Sequence, residues 1–199
     1  MKDVLASPGW SLIAGFALTL LILVLWLVTA SVDGIGFLSF LLRWLHVLAG
    51  IVWVGLIWFV NFIQLAALQE ADDAGRAALL KSVVPRVGHA FRHASHMSVL
   101  TGAMLLVASG YLFGRVLFAS EVYIPLSRAF LLWGGVLGGS LMWIFVHFII
   151  WPNLKVVLGL TPGDSDAKAH AREQIRTYAR LNLILSVPVT FVMVGAAHL

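Results

Sequence analysis

An uncharged apolar run of 21 residues, Trp10 to Ala30, is the feature that most constrains this chain. A helix that crosses a bilayer needs about 20 consecutive, predominantly apolar residues. Four further apolar stretches follow, and together they predict spans at about residues 10–30, 37–68, 93–113, 130–151 and 181–197. We therefore expect an integral membrane protein with five transmembrane helices, whose first partner is the lipid bilayer.

The composition agrees with this expectation, because 61% of the residues are hydrophobic and 11% are charged, whereas soluble domains carry about 25% charged residues. Helices satisfy their backbone polar groups internally, whereas a membrane barrel needs strands of alternating polarity, which the sequence lacks. The predicted class is therefore all-α, a single transmembrane helical bundle over residues 1–199. Gln69 to Gly88 is predicted to form a short amphipathic surface helix between the second and third spans.

Lysine and arginine are distributed unevenly between the two sides of the predicted spans. One side holds ten of them, namely Lys2, Arg76, Lys81, Arg86, Arg92, Lys155, Lys168, Arg172, Arg176 and Arg180, and the other holds Arg43, Arg115 and Arg128. Cytoplasmic loops carry the excess of positive charge. The N-terminus is therefore predicted to be cytoplasmic and the C-terminus outside, in a multi-pass protein of the cell's inner (cytoplasmic) membrane. Because these cations lie between apolar spans, the net charge of +4 does not indicate a nucleic-acid partner.

The sequence contains no cysteine. Structural disulfides, iron–sulfur clusters, thiolate zinc sites and covalently attached c-type haem are therefore excluded for these residues. Any metal must be bound by histidine, methionine or carboxylate side chains.

One helical stripe of the second span is too polar to face lipid. Steps of three and four residues place on it Arg43, His46, Gly50, Trp53, Ile57, Asn61 and Gln64. Polar groups within a span face the bundle interior, where they find partners, and a glycine there allows close approach of a helix or a flat ligand. Two interpretations stay open, which are hydrogen bonding between helices and a cofactor site that includes His46, Gly50 and Trp53.

Four further histidines cluster towards the cytoplasmic side. His89, His93 and His96 share one face at the start of the third span, and His147 lies at nearly the same depth on the antiparallel fourth span. Imidazole is an axial ligand of haem iron, and bundle interiors hold such cofactors between facing helices. The metal-ligand candidates are therefore His96 and His147, then His93, with His46 in a separate outer layer where His198 could be its partner. The alternative is that these histidines are interfacial polar residues near lipid headgroups.

Several short motifs resemble, in the same order, the membrane domain of the bacterial urate hydroxylase family, also called the urate oxidase N-terminal domain. They are RWLHVLAGIVWVGLIWFVNFIQ from Arg43 to Gln64, Val84-Pro85-Arg86, Phe91-Arg92, Thr101-Gly102, Ile150-Trp151-Pro152-Asn153 and Ala179-Arg180-Leu181-Asn182. The resemblance covers about residues 40–199. His46 in R-W-L-H matches the family, whereas His89, His93, His96 and His147 depart from what the family leads us to expect.

The resemblance implies urate oxidation with electrons passed to a cytochrome c domain. Because C-x-x-C-H is absent from these residues, such an activity would need a separate cytochrome c as partner, and whether the chain is an enzyme stays open.

Three functions remain from the sequence. The first is a membrane-embedded redox subunit that binds haem b and transfers electrons to or from a partner. The second is a non-catalytic accessory subunit of a larger respiratory or photosynthetic complex. The third is an oxidase for a small substrate such as urate.

Overall fold

Long α-helices make up the structure, a computed structural model that describes residues 5–31, 33–113 and 123–198. No residue in these ranges lies in a β-strand. The chain divides into two compact units, Met1–Leu38 and Ser39–Leu199. Every site considered below lies in the second unit.

The helices are named in chain order. They are α1 (Pro8–Thr29), α2 (Gly34–Glu70), α3 (Asp73–Ser82), α4 (Val84–Ala108), α5 (Leu126–Val157) and α6 (Ser165–His198). Helix α2 contains a π-helical segment at Val60–Gln64, and α5 contains one at Phe145–Ile150.

Four of these helices, α1, α2, α5 and α6, are long and apolar enough to cross a membrane. The remaining predicted span, residues 93–113, falls largely on α4, which is not among the four. Helix α4 begins at Val84 and ends at Ala108. Its first half carries arginines and histidines, including Arg86, Arg92 and His96, which lower its mean hydropathy.

Several helices are longer than the apolar runs that predicted them. Helix α6 begins at Ser165 rather than near residue 181, and Asp164 caps it by accepting a hydrogen bond from the Ala167 backbone N–H at 2.8 Å. Hydropathy marks the part of a helix that suits lipid, whereas the helix continues wherever its residues and caps allow. The predicted surface helix, Gln69 to Gly88, is present in shorter form as α3, which Asp72 caps.

Pro152 does not end α5, although the fourth span was predicted to stop there. The π-helical segment Phe145–Ile150 ends two residues before Pro152, and the helix continues to Val157. Proline cannot donate a backbone hydrogen bond, and a local π adjustment lets a helix continue past it.

Helices α5 and α6 pack closely through glycines. A Cβ at Gly138 would lie 2.5 Å from Cγ2 of Val189, and a Cβ at Gly135 would lie 2.9 Å from the sulfur of Met193. Glycine therefore sets the spacing between these two helices, as small residues do at helix contacts in membranes. An apolar core beside this contact joins Trp53, Ile57, Phe91, Ala94, Met142 and Val146.

We predict that Gly138→Ala destabilises the protein, because β-branched Val189 has little freedom to move aside. Overpacking of this kind costs about 1–3 kcal/mol. The thermal midpoint in mild detergent should fall for Gly138→Ala and should stay the same or rise for Gly134→Ala, where no heavy atom lies within 4 Å. Equal midpoints for the two variants would contradict this packing.

Candidate functional site

A cavity of about 830 Å³ lies between α2, α4, α5 and α6, and we call it the large cavity. Cofactor and ligand pockets usually have volumes of about 300–1,000 Å³. Most of the lining is apolar, and the ionisable side chains that line it are Arg43, His46, Tyr111, Arg128 and His198. No acidic side chain is among the described residues of the lining. The large cavity therefore suits an apolar ligand with an anionic end.

The polar stripe of α2 divides between two cavities. Arg43, His46, Gly50 and Trp53 line the large cavity. Ile57, Asn61 and Gln64 line a second cavity, of about 50 Å³, which we call the small cavity. From His46 to Gln64 the members of the stripe are buried or half-buried, as their polarity predicted, whereas Arg43 at its start is exposed. The stripe lines two separate cavities.

His46 is held by a hydrogen bond to α4. Its Nδ1 lies 2.8 Å from the Ser98 carbonyl oxygen, and because a carbonyl can only accept, Nδ1 carries the hydrogen. In the neutral ring, Nε2 then keeps its lone pair. A metal-ligating histidine usually donates its other N–H to a carbonyl in this way. His46 is therefore suited to act as a ligand through Nε2.

Gly102 allows α4 to lie close to α2 at His46. A Cβ at Gly102 would lie 2.9 Å from Cε1 and 3.1 Å from Nδ1 of His46. Only a residue without a side chain fits beneath the ring. Gly102 thus fixes the position of the imidazole against α4.

Trp53 supplies an unpartnered donor beside the large cavity. The side chain is 4% exposed, and its Nε1–H has no acceptor among the described residues. A buried indole N–H usually has a partner. An acceptor on a ligand in the large cavity would provide one.

Arg43 and Arg128 place positive charge along the lining. Arg128 Nε donates to the Ala196 carbonyl oxygen at 3.0 Å, which anchors this side chain to α6. Guanidinium groups recognise carboxylates with several N–H donors at once. Two arginines, with no acidic residue in the described lining, therefore favour an anionic ligand, such as one that carries carboxylates.

His96 and His147 lie together, as their predicted depth requires. Their ring centroids are 4.2 Å apart with an interplanar angle of 32°. Trp143 lies against both rings, donating from Nε1 to His96 Nδ1 at 3.1 Å. Its own carbonyl oxygen accepts from His147 Nδ1 at 3.0 Å.

These hydrogen bonds decide which ring nitrogens are available. His147 keeps a lone pair on Nε2, which is buried and has no partner among the described residues. His96 uses its lone pair at Nδ1 to accept from Trp143, so its neutral ring carries hydrogen on Nε2. Moreover, rings in direct contact leave no gap for a porphyrin between them. As placed, the pair forms a tilted ring contact between α4 and α5 rather than two ligands on opposite sides of a porphyrin.

The other histidines lie apart from this pair. The rings of His89 and His93 have centroids 6.4 Å apart, and His89 also meets the Trp151 ring edge-on. The guanidinium carbon of Arg92 lies over the Trp151 ring, 4.4 Å from its centroid. Within the described ranges, no group of three or more His, Cys, Asp or Glu side chains could hold a metal ion. The roles of His93, His96 and His147 as metal ligands stay predictions.

His198, the predicted outer partner of His46, also lines the large cavity. Its Nδ1 bonds to the Val194 carbonyl oxygen of its own helix at 2.9 Å. The side chain is exposed.

Sequence reasoning did not identify Ser98, Gly102 and Arg128 as parts of this site. Ser98 and Gly102 are small residues one helical turn apart on α4, which is a pattern typical of close helix contact. In the sequence, Arg128 indicated only the orientation of the spans, as one of the positive charges outside the cytoplasm.

Comparison with known protein families, with curated proteins and with solved structures gave no match for this chain.

We predict opposite tautomers for two histidines. His46 should be protonated on Nδ1 and His96 on Nε2, because Ser98 O accepts from the first ring and Trp143 N–H donates to the second. Nitrogen-15 NMR of histidine-labelled protein in bilayers distinguishes protonated from unprotonated ring nitrogens, with His46→Gln and His96→Gln assigning the signals. A neutral His46 protonated on Nε2 would contradict the geometry.

Proposed function

We propose that the protein is a membrane-embedded redox subunit that binds haem b in the large cavity, where His46 would hold the iron. The observation that carries this proposal is the large cavity itself, where an imidazole with a free Nε2 adjoins an apolar space of about 830 Å³. In this proposal α4 crosses the cytoplasmic membrane together with the four apolar helices, the N-terminus is cytoplasmic and the C-terminus is outside.

The residues of the large cavity fit this cofactor. His46 Nε2 would bind the iron, and Arg43 and Arg128 would bind the propionate carboxylates. Gly50 lines the large cavity without a side chain and would leave room for a flat ring beside α2. Bound haem would supply the one-electron couple of its iron.

The protein's own groups then orient and shield the site. The Ser98 carbonyl fixes the rotation of the His46 ring, and Gly102 supports the ring from α4. Trp53 is buried and lines the large cavity, where its indole would shield a bound ring from water. Because apolar surroundings strengthen electrostatic interactions, the half-buried Arg128 would stabilise an anionic cofactor more strongly than it would in water, whereas the exposed Arg43 would contribute less.

The resemblance to urate hydroxylases supports a redox role and a separate cytochrome c as the electron partner. His46 belongs to the R-W-L-H motif that carries this resemblance. Oxidation of a small substrate such as urate would be an extension of this function, and substrate-dependent reduction of the cofactor would support it.

An accessory subunit of a larger membrane complex is the second candidate, and one exposed face of α5 favours it. Gly134 is exposed there with no heavy atom within 4 Å of a built Cβ, and it lies between Phe130 and Leu137, which are 74% and 70% exposed. Small residues on a helix face permit close contact with another helix in a membrane. Stable partners that purify with a colourless protein would favour this candidate.

The central prediction concerns the absorbance of the purified protein, oxidised and then reduced with dithionite. A Soret band should be present, and it should be lost in His46→Ala because the iron loses its ligand. Added imidazole should restore it, which distinguishes ligand loss from misfolding. His170→Ala, at an exposed position, serves as the control. Loss of the band in His96→Ala but not in His46→Ala would place the cofactor at His96 and His147 instead.

A second prediction uses the support beneath His46. Gly102→Ala should shift or weaken the Soret band, because a methyl group 2.9 Å from Cε1 displaces the ring. Gly55→Ala is the matched control, since no heavy atom lies within 4 Å of its Cβ and Gly55 does not line the large cavity. Identical spectra for the two variants would mean that His46 does not bind the cofactor in this position.

A further inference from the structure

Three side chains that line the small cavity carry buried polar atoms with no partner in the part of the chain that the structure describes. They are Oδ1 of Asn61, Oε1 of Gln64, and both Oδ1 and Nδ2 of Asn182. All three side chains line this one space of about 50 Å³ between α2, α4, α5 and α6. Asn61 and Asn182 are 3% and 0% exposed, so bulk solvent does not reach them.

The orientation of the Asn61 amide is fixed by the backbone. Its Nδ2 donates to the Ile57 carbonyl oxygen at 2.8 Å and to the Ala179 carbonyl oxygen at 3.1 Å. A flipped amide would point its oxygen at these two acceptors, which excludes that arrangement. Oδ1 of Asn61 is therefore an acceptor for which the described residues offer no donor.

The distortion of α2 lies at the same place. The π-helical segment Val60–Gln64 contains both Asn61 and Gln64. Such π segments are rare and occur frequently at functional sites. Here the segment presents two amide side chains to Asn182 of α6 across the small cavity.

We propose that the small cavity is a site for ordered water, which bridges the amides of Asn61, Gln64 and Asn182 and so joins the π segment of α2 to α6. The four atoms comprise three acceptors and one donor, and water satisfies both kinds. The volume is large enough for at least one water molecule, which needs about 10–15 Å³ of probe-occupied space and two to four polar partners.

A metal cation suits the site less well than water. It would leave the Nδ2–H of Asn182 unpaired, and no carboxylate lines the described wall of the small cavity. Removing a cation from water without a counter-charge is strongly unfavourable. The polar atoms of the small cavity therefore favour a neutral molecule that both donates and accepts hydrogen bonds.

The direct test is water-to-protein magnetisation transfer in NMR of the nitrogen-15 labelled full chain in bilayers. The side-chain amide of Asn182 should receive magnetisation from water rapidly. The Asn61 side chain, whose donors bond to backbone carbonyls, is assigned in parallel as a site held by protein acceptors. Absence of transfer to Asn182 would overturn the proposal, because it would show a dry cavity.

Two variants distinguish water in the small cavity from other sources of magnetisation. Gln64→Leu removes one acceptor and fills the small cavity, so transfer to Asn182 should fall several-fold. Gln69→Leu makes the same chemical change at an exposed position and should leave the transfer unchanged. Unchanged transfer in Gln64→Leu would overturn the proposal.

A third experiment compares the stability of the protein in different salts. The thermal midpoint should be the same in sodium, potassium and choline chloride at equal ionic strength. If one small cation raised the midpoint, and this rise were absent in Gln64→Leu, that cation rather than water would be the occupant.

Discussion

A polar group within an apolar surrounding must find its partner inside the protein, and this constraint organises the second unit of the structure. Asn61 binds the backbone of α6, Trp58 donates to Ser186 Oγ at 3.3 Å, and His46 binds the backbone of α4. Each bond joins α2 to a different turn of a neighbouring helix. Trp53 Nε1 and the side-chain amide of Asn182 have no partner among the described residues, and each of these two side chains lines a cavity.

The apolar core separates the two cavities. Trp53 and Met142 line the large cavity, whereas Ile57 and Phe91 line the small one, and all four belong to the same packed cluster. The polar stripe of α2 therefore contributes side chains to two cavities with different chemistry. The large cavity combines imidazole, guanidinium and apolar surface, which suits an amphipathic anion. The small cavity contains only amides and apolar surface, and it suits water.

The sequence predicted much of this organisation where helical periodicity or hydropathy decided it. The interior stripe from Arg43 to Gln64 and the contact of His96 with His147 both followed from spacing and depth. Helix lengths were less predictable, since α6 begins well before its apolar part and α5 continues through Pro152. The hydrogen bonds that assign the ring nitrogens could not be predicted, because they depend on how closely α4 approaches α2 at Gly102 and on where Trp143 directs its indole N–H.

An experimentally determined structure of the protein, purified in its native lipid and reconstituted in nanodiscs, would test the redox account most directly. We expect planar density within the large cavity, bonded to His46 Nε2 and in contact with Arg43 and Arg128. Density for an acyl chain in that cavity, or a cavity closed by repacked side chains, would contradict it.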